Sequence, residues 1–428
     1  MFLQCAEDGC HARQDSSLAA HQCARCGGLL EVQYDFAGLE PAALQRLWQE
    51  RRRSTDPLDR SGVWRFRELV NFLEPGASGA VVSLAEGRTP LLDAPRAGRW
   101  AGGLRLSVKH QGNNPTGSFK DLGMTAAISR AVALGVRVVA CASTGNTSSS
   151  MAAYAARAGL KALVFVPAGR ISSAKLAQAL DFGALVIELG ESFDQAFSLV
   201  RQISPELGLY LVNSVNPFRL EGQKTLVVEL LEQRDWSVPD YLVVPGGNLG
   251  NASAIGKGLR ELREIGLIKK SPRVVVVQAA GANPFYSLMT AGCGQLTPVN
   301  QPETEATAIR IGNPANWRKA RWVLEETHGL CESVTDEEIF AAKRALAEDG
   351  IGAEPASAAT LAGLRKLCAS GRIEAGADVV AVLTGHQLKD TDYVIRHASQ
   401  LETGRRIQVE AGLEPLRRAL GKMLDAGL

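Results

Sequence analysis

No apolar run in this 428-residue chain reaches the roughly 18 residues that a membrane-spanning helix needs. Charge of one sign is also scarce: 47 Lys and Arg stand against 45 Asp and Glu, a net +2. That balance lacks the electrostatic footprint of a nucleic-acid binder or of a protein held on an anionic membrane. The one basic run, Arg51-Arg52-Arg53, is flanked by Glu50 and Asp56 and reads as a solvated helix face. No short internal repeat and no low-complexity tract is present. The first residues include Cys5, Glu7, Asp8 and Cys10, which is not a secretory signal, so a cytoplasmic location is expected. What is there is 46% hydrophobic and 21% charged, the balance of a soluble globular protein. The length allows two domains of ordinary size.

The most informative stretch is Asn113-Asn114-Pro115-Thr116-Gly117-Ser118-Phe119-Lys120-Asp121. It sets one lysine among small turn-forming residues, between a short strand at 104–109 and an apolar helical pattern at 123–134. Lys120 therefore sits near a helix N-terminus, whose partial positive charge disfavours a second one. Burial acts in the same direction. A lysine partly present as free amine attacks carbonyls and forms a Schiff base. A plain solvent-facing loop lysine is the alternative for this motif alone.

Two more loops repeat the strand-turn-helix pattern. Val136 to Ala142 ends in Ser143-Thr144-Gly145-Asn146-Thr147-Ser148-Ser149-Ser150 before an Ala-rich helix. Hydroxyl and amide groups crowded at a helix start suit a carboxylate or phosphate, whereas capping alone needs one of them. Tyr241 to Val244 runs into Pro245-Gly246-Gly247-Asn248-Leu249-Gly250-Asn251. Glycines let several N–H groups converge on one anion. No Lys-Ser/Thr pair follows, so this is not the nucleoside-triphosphate loop, and the spacing is not the dinucleotide fingerprint. An activated lysine plus a phosphate loop suggests a phosphate-bearing aldehyde cofactor, pyridoxal 5'-phosphate.

At the N-terminus, Cys5-x4-Cys10 precedes Cys23-x2-Cys26, with His11 and His21 nearby. Two cysteine pairs about a dozen residues apart have the geometry of a small tetrahedral zinc ribbon. An empty ribbon is the alternative. No catalysis is assigned to it. Cys141, Cys293, Cys331 and Cys368 read as free, mostly buried thiols.

The three loops occur in this order in fold-type II pyridoxal-phosphate enzymes. Asn213-Ser214-Val215-Asn216-Pro217-Phe218-Arg219-Leu220-Glu221-Gly222-Gln223-Lys224-Thr225, Ile309-Arg310-Ile311-Gly312-Asn313-Pro314 and Thr384-Gly385-His386-Gln387-Leu388-Lys389-Asp390 narrow the match. Over residues 1–397 the chain resembles the threonine synthase family. One departure is Asp121-Leu122-Gly123, where many relatives carry Asp-Arg-Gly.

The resemblance implies a role for each motif. Lys120 binds the cofactor and then moves protons. Asn146 meets the ring hydroxyl, Gly247, Asn248, Leu249, Gly250 and Asn251 hold the cofactor phosphate, and Thr384 faces the pyridine nitrogen. A hydroxyl there is expected to leave that ring without full pyridinium character. Ser143, Thr144 and Asn146 receive the substrate carboxylate. Asn213, Ser214 and Arg219 bind the substrate phosphate, helped by Thr147, with Lys109 adding charge. The implied reaction is conversion of O-phospho-L-homoserine and water to L-threonine and phosphate, by a homodimer. Three alternatives stay open: a cysteate-synthase-like replacement on O-phosphoserine, a threonine or serine dehydratase, and a non-enzymatic metal-ribbon binding module.

The expected fold class is α/β, with two doubly wound parallel-sheet domains and a small zinc-ribbon-like segment. Strands are expected near 104–109, 136–142, 161–166, 184–189, 209–213, 240–244, 273–278 and 378–383, and helices at 172–182, 192–203 and 335–349. The domains expected are a ribbon at 1–34, a large domain of 35–124 plus 226–428, and a small mobile domain at 125–225.

Overall fold

The computed structural model describes residues 1–16, 21–74, 76–167, 173–189, 199–204, 206–292, 294–397 and 409–425. Residues Met1–Lys389 pack as one compact unit and Asp390–Leu428 form a second. The second contains the helices Thr391–His397 and Leu413–Asp425. Among the described residues, no helix is long and apolar enough to cross a membrane.

The strands are β1 (Phe2–Cys5), β2 (Arg13–Gln14), β3 (Leu30–Gln33), β4 (Leu91–Asp93), β5 (Arg105–His110), β6 (Val138–Ala142), β7 (Lys161–Pro167), β8 (Leu185–Leu189), β9 (Tyr210–Leu211), β10 (Tyr241–Pro245), β11 (Arg273–Ala279), β12 (Leu330–Val334) and β13 (Asp378–Leu383). Among the described residues they form three sheets, ordered β2-β1-β3, β12-β11-β10-β13-β5-β4 and β8-β7-β6-β9. The third sheet is wholly parallel. The second is parallel except for β4, which pairs antiparallel with β5 at its edge. Parallel strands joined through helices are buried on both faces. Val274, Val275, Val276 and Val277 accordingly show no exposed surface.

All eight expected strands are present, with ends displaced by no more than two residues. The helices Ser173–Asp181 and Asp336–Glu348 match expectation. The latter carries a capping box between Thr335 and Glu338. The helix expected over 192–203 lies largely outside the described residues. β12 escaped the sequence because Glu332 and Ser333 break its apolar run. Burial takes them anyway. β4 is only three residues long, too short for a periodic signal. The expected solvated face at Arg51 is corrected. Its guanidinium engages Glu68 at 2.8 and 2.6 Å and tethers helix Pro41–Arg53 to the following segment, while Arg52 and Arg53 are exposed.

The N-terminal sheet docks through buried lysines. Lys257 donates to Val32 O at 2.5 Å and Lys319 to Leu30 O at 2.9 Å. Lys257 also pairs with Glu221 at 2.5 Å. Glu221 lies on the helix Pro217–Gln223, which also carries Arg219.

Candidate active site

Every predicted cofactor or substrate loop leaves the carboxyl end of a parallel strand, where open α/β sheets place ligands. β5 leads to Lys120, β6 to Asn146, β9 to Asn213, β10 to the glycine loop and β13 to Thr384. Hydrogen bonds tie the loops together. Phe119 N donates to Thr384 O at 2.9 Å, and His386 N to Gly117 O at 2.9 Å. Asp121 accepts from Thr116 N at 2.7 Å, Thr116 Oγ1 at 2.6 Å and Ser150 Oγ at 2.5 Å. It thereby pins the lysine loop to the helix Asn146–Ala158. Burial raises the Asp121 carboxyl to about 6.

Lys120 opens the helix Lys120–Ala133. That helix crosses Pro217–Gln223 at backbone contact: a Cβ on Gly222 would lie 1.7 Å from Leu122 O. Only glycine permits this approach, and it brings Arg219 into the electrostatic neighbourhood of Lys120. Burial first, then the Arg219 charge, lowers the Lys120 amine to about 7, with Glu354 acting in the opposite direction. Lys120 Nζ stands 4.2 Å from the centre of the Phe119 ring. Arg219 is 1% exposed. It donates from Nη1 to Val212 O at 3.1 Å, and its Nε has no partner. No carboxylate pairs with it among the described residues, and burial lowers it to about 10. A buried guanidinium without a counter-ion is costly and calls for an anion.

Asn146 is buried and donates from Nδ2 to Glu354 Oε2 at 3.0 Å, while its Oδ1 has no partner. Thr384 Oγ1 lies 3.3 Å from Glu354 Oε1 and 3.0 Å from Ser357 Oγ. Glu354 and Ser357 were not among the sequence candidates. The available signal was an acid just before Pro355 at the head of an Ala-rich helix, a polar residue heading a segment that is otherwise apolar.

The glycine loop turns tightly between β10 and the next helix. A Cβ on Gly246 would meet Val276 Cγ1 at 2.7 Å. Leu249 adopts φ +61°, a conformation uncommon outside glycine, and caps the 16-residue helix Gly250–Ile265. Asn248 is spent within the chain: Nδ2 donates to Ser214 Oγ at 2.7 Å and Oδ1 accepts Ala315 N at 2.6 Å. Ser214 thus borders the glycine loop. The Asn251 amide is buried with neither its nitrogen nor its oxygen partnered.

The hydroxyl-rich loop divides its labour. Ser148 Oγ donates to Gly145 O at 2.7 Å and Gly145 N to Ser143 Oγ at 3.2 Å. Thr144 and Thr147 stay half-buried. The Asn213 side chain clasps the Ala142 peptide, accepting its N–H at 3.1 Å and donating to its carbonyl at 2.8 Å. It continues the β6–β9 pairing and sets where the following Ser214 begins.

Lys109 is a correction. Its ammonium has no exposed surface and spends all three donors, on Thr89 O at 2.7 Å, Glu229 Oε1 at 2.5 Å and Gln233 Oε1 at 2.8 Å. It has nothing left for a substrate. Removing one partner of such a buried pair costs about 3–5 kcal/mol. Lys109→Met is therefore expected to lower thermal stability by that order with unchanged KM. A raised KM at unchanged stability would return Lys109 to the site.

The family model for pyridoxal-phosphate dependent enzymes matches residues 82–385. Threonine synthase of Methanocaldococcus jannaschii is 44% identical over 399 residues, 93% of this chain and 95% of the relative. That of Methanosarcina acetivorans is 43% identical over 420 residues, 98% of each. This chain belongs to the threonine synthase family of pyridoxal-phosphate-dependent enzymes. The fold is shared more widely. Maize serine racemase superposes with a TM-score of 0.63 at 19% identity, over 84% of this chain and 98% of that one. Diaminopropionate ammonia lyase from Escherichia coli does so with 0.64 at 17%, over 80% and 93%.

The residues gathered at these strand ends in this threonine synthase family member fit the cofactor on their own chemistry. Buried polar atoms of Ser118, Asn146, Arg219 and Asn251 all lack partners. Native interiors rarely leave such groups unpaired. Ser118 also escaped the sequence. Its hydroxyl, two residues before Lys120, is buried and unpartnered.

Away from the cleft, the sulfurs of Cys5, Cys10, Cys23 and Cys26 all lie within 4.8 Å of one another. Cys5 and Cys26 are 3.4 Å apart, and Cys10 and Cys23 are 3.8 Å apart. Four thiolates around one zinc give sulfur–sulfur edges of about 3.8 Å. Glu7 N and Gly28 N each point at a cysteine sulfur at 3.4 Å. Neither His11 nor His21 joins the cluster; the His21 ring packs on Tyr210 with centroids 4.9 Å apart. Cys141 and Cys331 are buried free thiols and Cys368 is half-buried; Cys293 lies outside the described residues.

Proposed function

We propose that this chain converts O-phospho-L-homoserine and water to L-threonine and phosphate, with Arg219 receiving the substrate phosphate. The observation that carries this reading is a buried arginine without a carboxylate among the described residues, within electrostatic reach of Lys120. Arginine engages two phosphate oxygens at once. A dehydratase substrate carries no phosphate and would leave that cation unpaired.

When bound, the cofactor supplies the electron sink for proton loss next to the amino group. The chain's residues do the rest. Lys120 holds the cofactor and, as a free amine near neutral pH, takes and returns protons at the substrate carbons. Backbone N–H groups from Gly247 to Asn251, at a helix N-terminus, seat the cofactor phosphate. Ser143, Thr144 and Asn146 receive the substrate carboxylate, and Ser214 and Thr147 flank the Arg219 seat. Asn213 orients that loop through Ala142. Thr384 meets the ring nitrogen. Residues 125–225 move as a small domain against 35–124 and 226–428, closing the cleft. The enzyme is a cytoplasmic homodimer.

Phosphate release from O-phosphohomoserine and from O-phosphoserine, each with and without sulfite, tests the reading. Threonine and phosphate in equal amounts from the first substrate are expected. Faster sulfite-dependent release from O-phosphoserine overturns the assignment in favour of cysteate-type replacement.

Cys5, Cys10, Cys23 and Cys26 hold one structural zinc and leave no open ligand position. One metal per chain is expected by elemental analysis. Chelation should unfold the ribbon and leave Lys257 and Lys319 without the carbonyls of Val32 and Leu30. The predicted readout is an earlier thermal transition. A chelated protein with an unchanged melt would make the cluster vestigial.

A further inference from the structure

Two asparagine side chains join Ser214 to the glycine loop. Ala315 N–H can only donate, and it meets Asn248 Oδ1 at 2.6 Å. The other end of that amide, Nδ2, therefore faces Ser214 Oγ at 2.7 Å. An amide nitrogen donates, so Ser214 Oγ accepts there. Asn316 is 1% exposed and lies just beyond the Ile309 to Pro314 segment. It donates from Nδ2 to Ser214 O at 3.3 Å and to Asn248 O at 3.2 Å. Both partners are carbonyls, which only accept, so the orientation of this amide is fixed as well. Ser214 follows β9 and Asn248 follows β10, strands of two different sheets. Asn316 stands at the N-cap of the helix Trp317–Glu326 yet makes no side-chain capping bond. Its amide serves the two loops instead of its own helix.

We propose that Asn316 is a positioning residue for the substrate phosphate: it ties Ser214 to the glycine loop, where Asn248 occupies an acceptor site of the Ser214 hydroxyl and leaves its proton for a phosphate oxygen. This rests on the reading above that Ser214 and Arg219 seat that phosphate. A hydroxyl has one proton and two lone pairs. Since Ser214 cannot donate to the Asn248 nitrogen, its proton stays available, and a phosphate oxygen needs a donor. Ser214 is only half-buried, so a ligand can reach it. Without the Asn316 amide, Ser214 would lose the donor to its carbonyl and keep only the Asn248 contact to its hydroxyl. Hydrogen bonds weaken steeply as their geometry departs from the ideal, so a small drift of Ser214 costs phosphate affinity.

The test compares two ligands of the holoenzyme, each followed by the change in cofactor absorbance. One is L-homoserine. The other is the phosphonate analogue of O-phosphohomoserine, in which a methylene replaces the bridging oxygen so that no phosphate can leave. The wild type should bind the phosphonate more tightly. Asn316→Ala should keep the cofactor colour, because Asn316 N still donates to Asn248 O at 3.3 Å. It should weaken the phosphonate by roughly tenfold, the scale of one lost hydrogen bond, and leave L-homoserine unchanged. A merely structural role would weaken both ligands alike. If the alanine variant does not fold, Asn316→Ser takes its place, since its single proton serves one carbonyl at most, and the same selective loss is expected. Equal affinity of the wild type for the two ligands would sink the phosphate seat itself. A phosphate preference that the variant leaves intact, a loss shared by both ligands, or a folded variant without colour sinks only the role of Asn316.

Discussion

Lys120→Ala folds normally and makes no threonine. Lys120 holds no ion pair and no hydrogen bond among the described residues, and burial holds its amine down to about 7. Alanine at the first position of a helix carries no propensity penalty. Thermal stability should therefore be unchanged or slightly higher. Turnover should fall by at least about four orders of magnitude, the upper end for a positioned acid–base group. The same amine predicts a pH dependence. An ordinary lysine becomes a free amine only near pH 10.4, whereas Lys120 does so as pH rises through about 7. Cofactor capture by the apoenzyme, followed by absorbance growth, should rise across neutrality and level off above it. A rate still climbing toward pH 10 would mean that the lysine is solvated. Substantial threonine from Lys120→Ala would remove it from the chemistry altogether.

The features legible in the sequence were those written locally. A strand, a turn of small residues and a helix start are contiguous, so Lys120, the glycine loop and the Ser143 loop could each be placed from their immediate neighbours in the chain. The cysteine pairs were equally local, and the loose spacing between Cys5 and Cys10 still brings all four sulfurs together. What was misread depended on distant partners. Lys109 precedes the lysine loop in sequence, yet its side chain is captured by Glu229 and Gln233, more than a hundred positions away. Arg51 looked solvated until Glu68 reached it. Glu354 and Ser357 reach Thr384 only because β13 ends where the helix Pro355–Ala369 begins, with Glu354 N donating to Gly385 O at 3.0 Å. Nothing in their own neighbourhood names Asn146 or Thr384 as partners.

Arg219→Met should raise the KM for O-phosphohomoserine by roughly a hundredfold, about 3 kcal/mol, as expected for losing one partner of a buried charged pair. Methionine keeps much of the side-chain length and removes the charge. Cofactor colour should persist, because the glycine loop supplies its phosphate seat independently. The Lys120 amine should titrate higher, since the Arg219 charge is one cause of its depression, and the pH at which cofactor capture levels off should move up with it. Stability should not fall by the amount expected for a structural arginine. Among the described residues Arg219 holds one carbonyl and no carboxylate, so on the proposed reading the free enzyme bears the cost of a buried charge that substrate phosphate would relieve. Glu221, two residues along the same helix, has the opposite design: Lys224 at 2.6 Å and Lys257 at 2.5 Å both pair with it. Glu221→Gln should therefore lower stability while sparing KM. If Arg219→Met instead loses its colour at unchanged KM, the two phosphate seats have been exchanged. If it unfolds as Glu221→Gln does, Arg219 serves the fold and the substrate phosphate lies elsewhere.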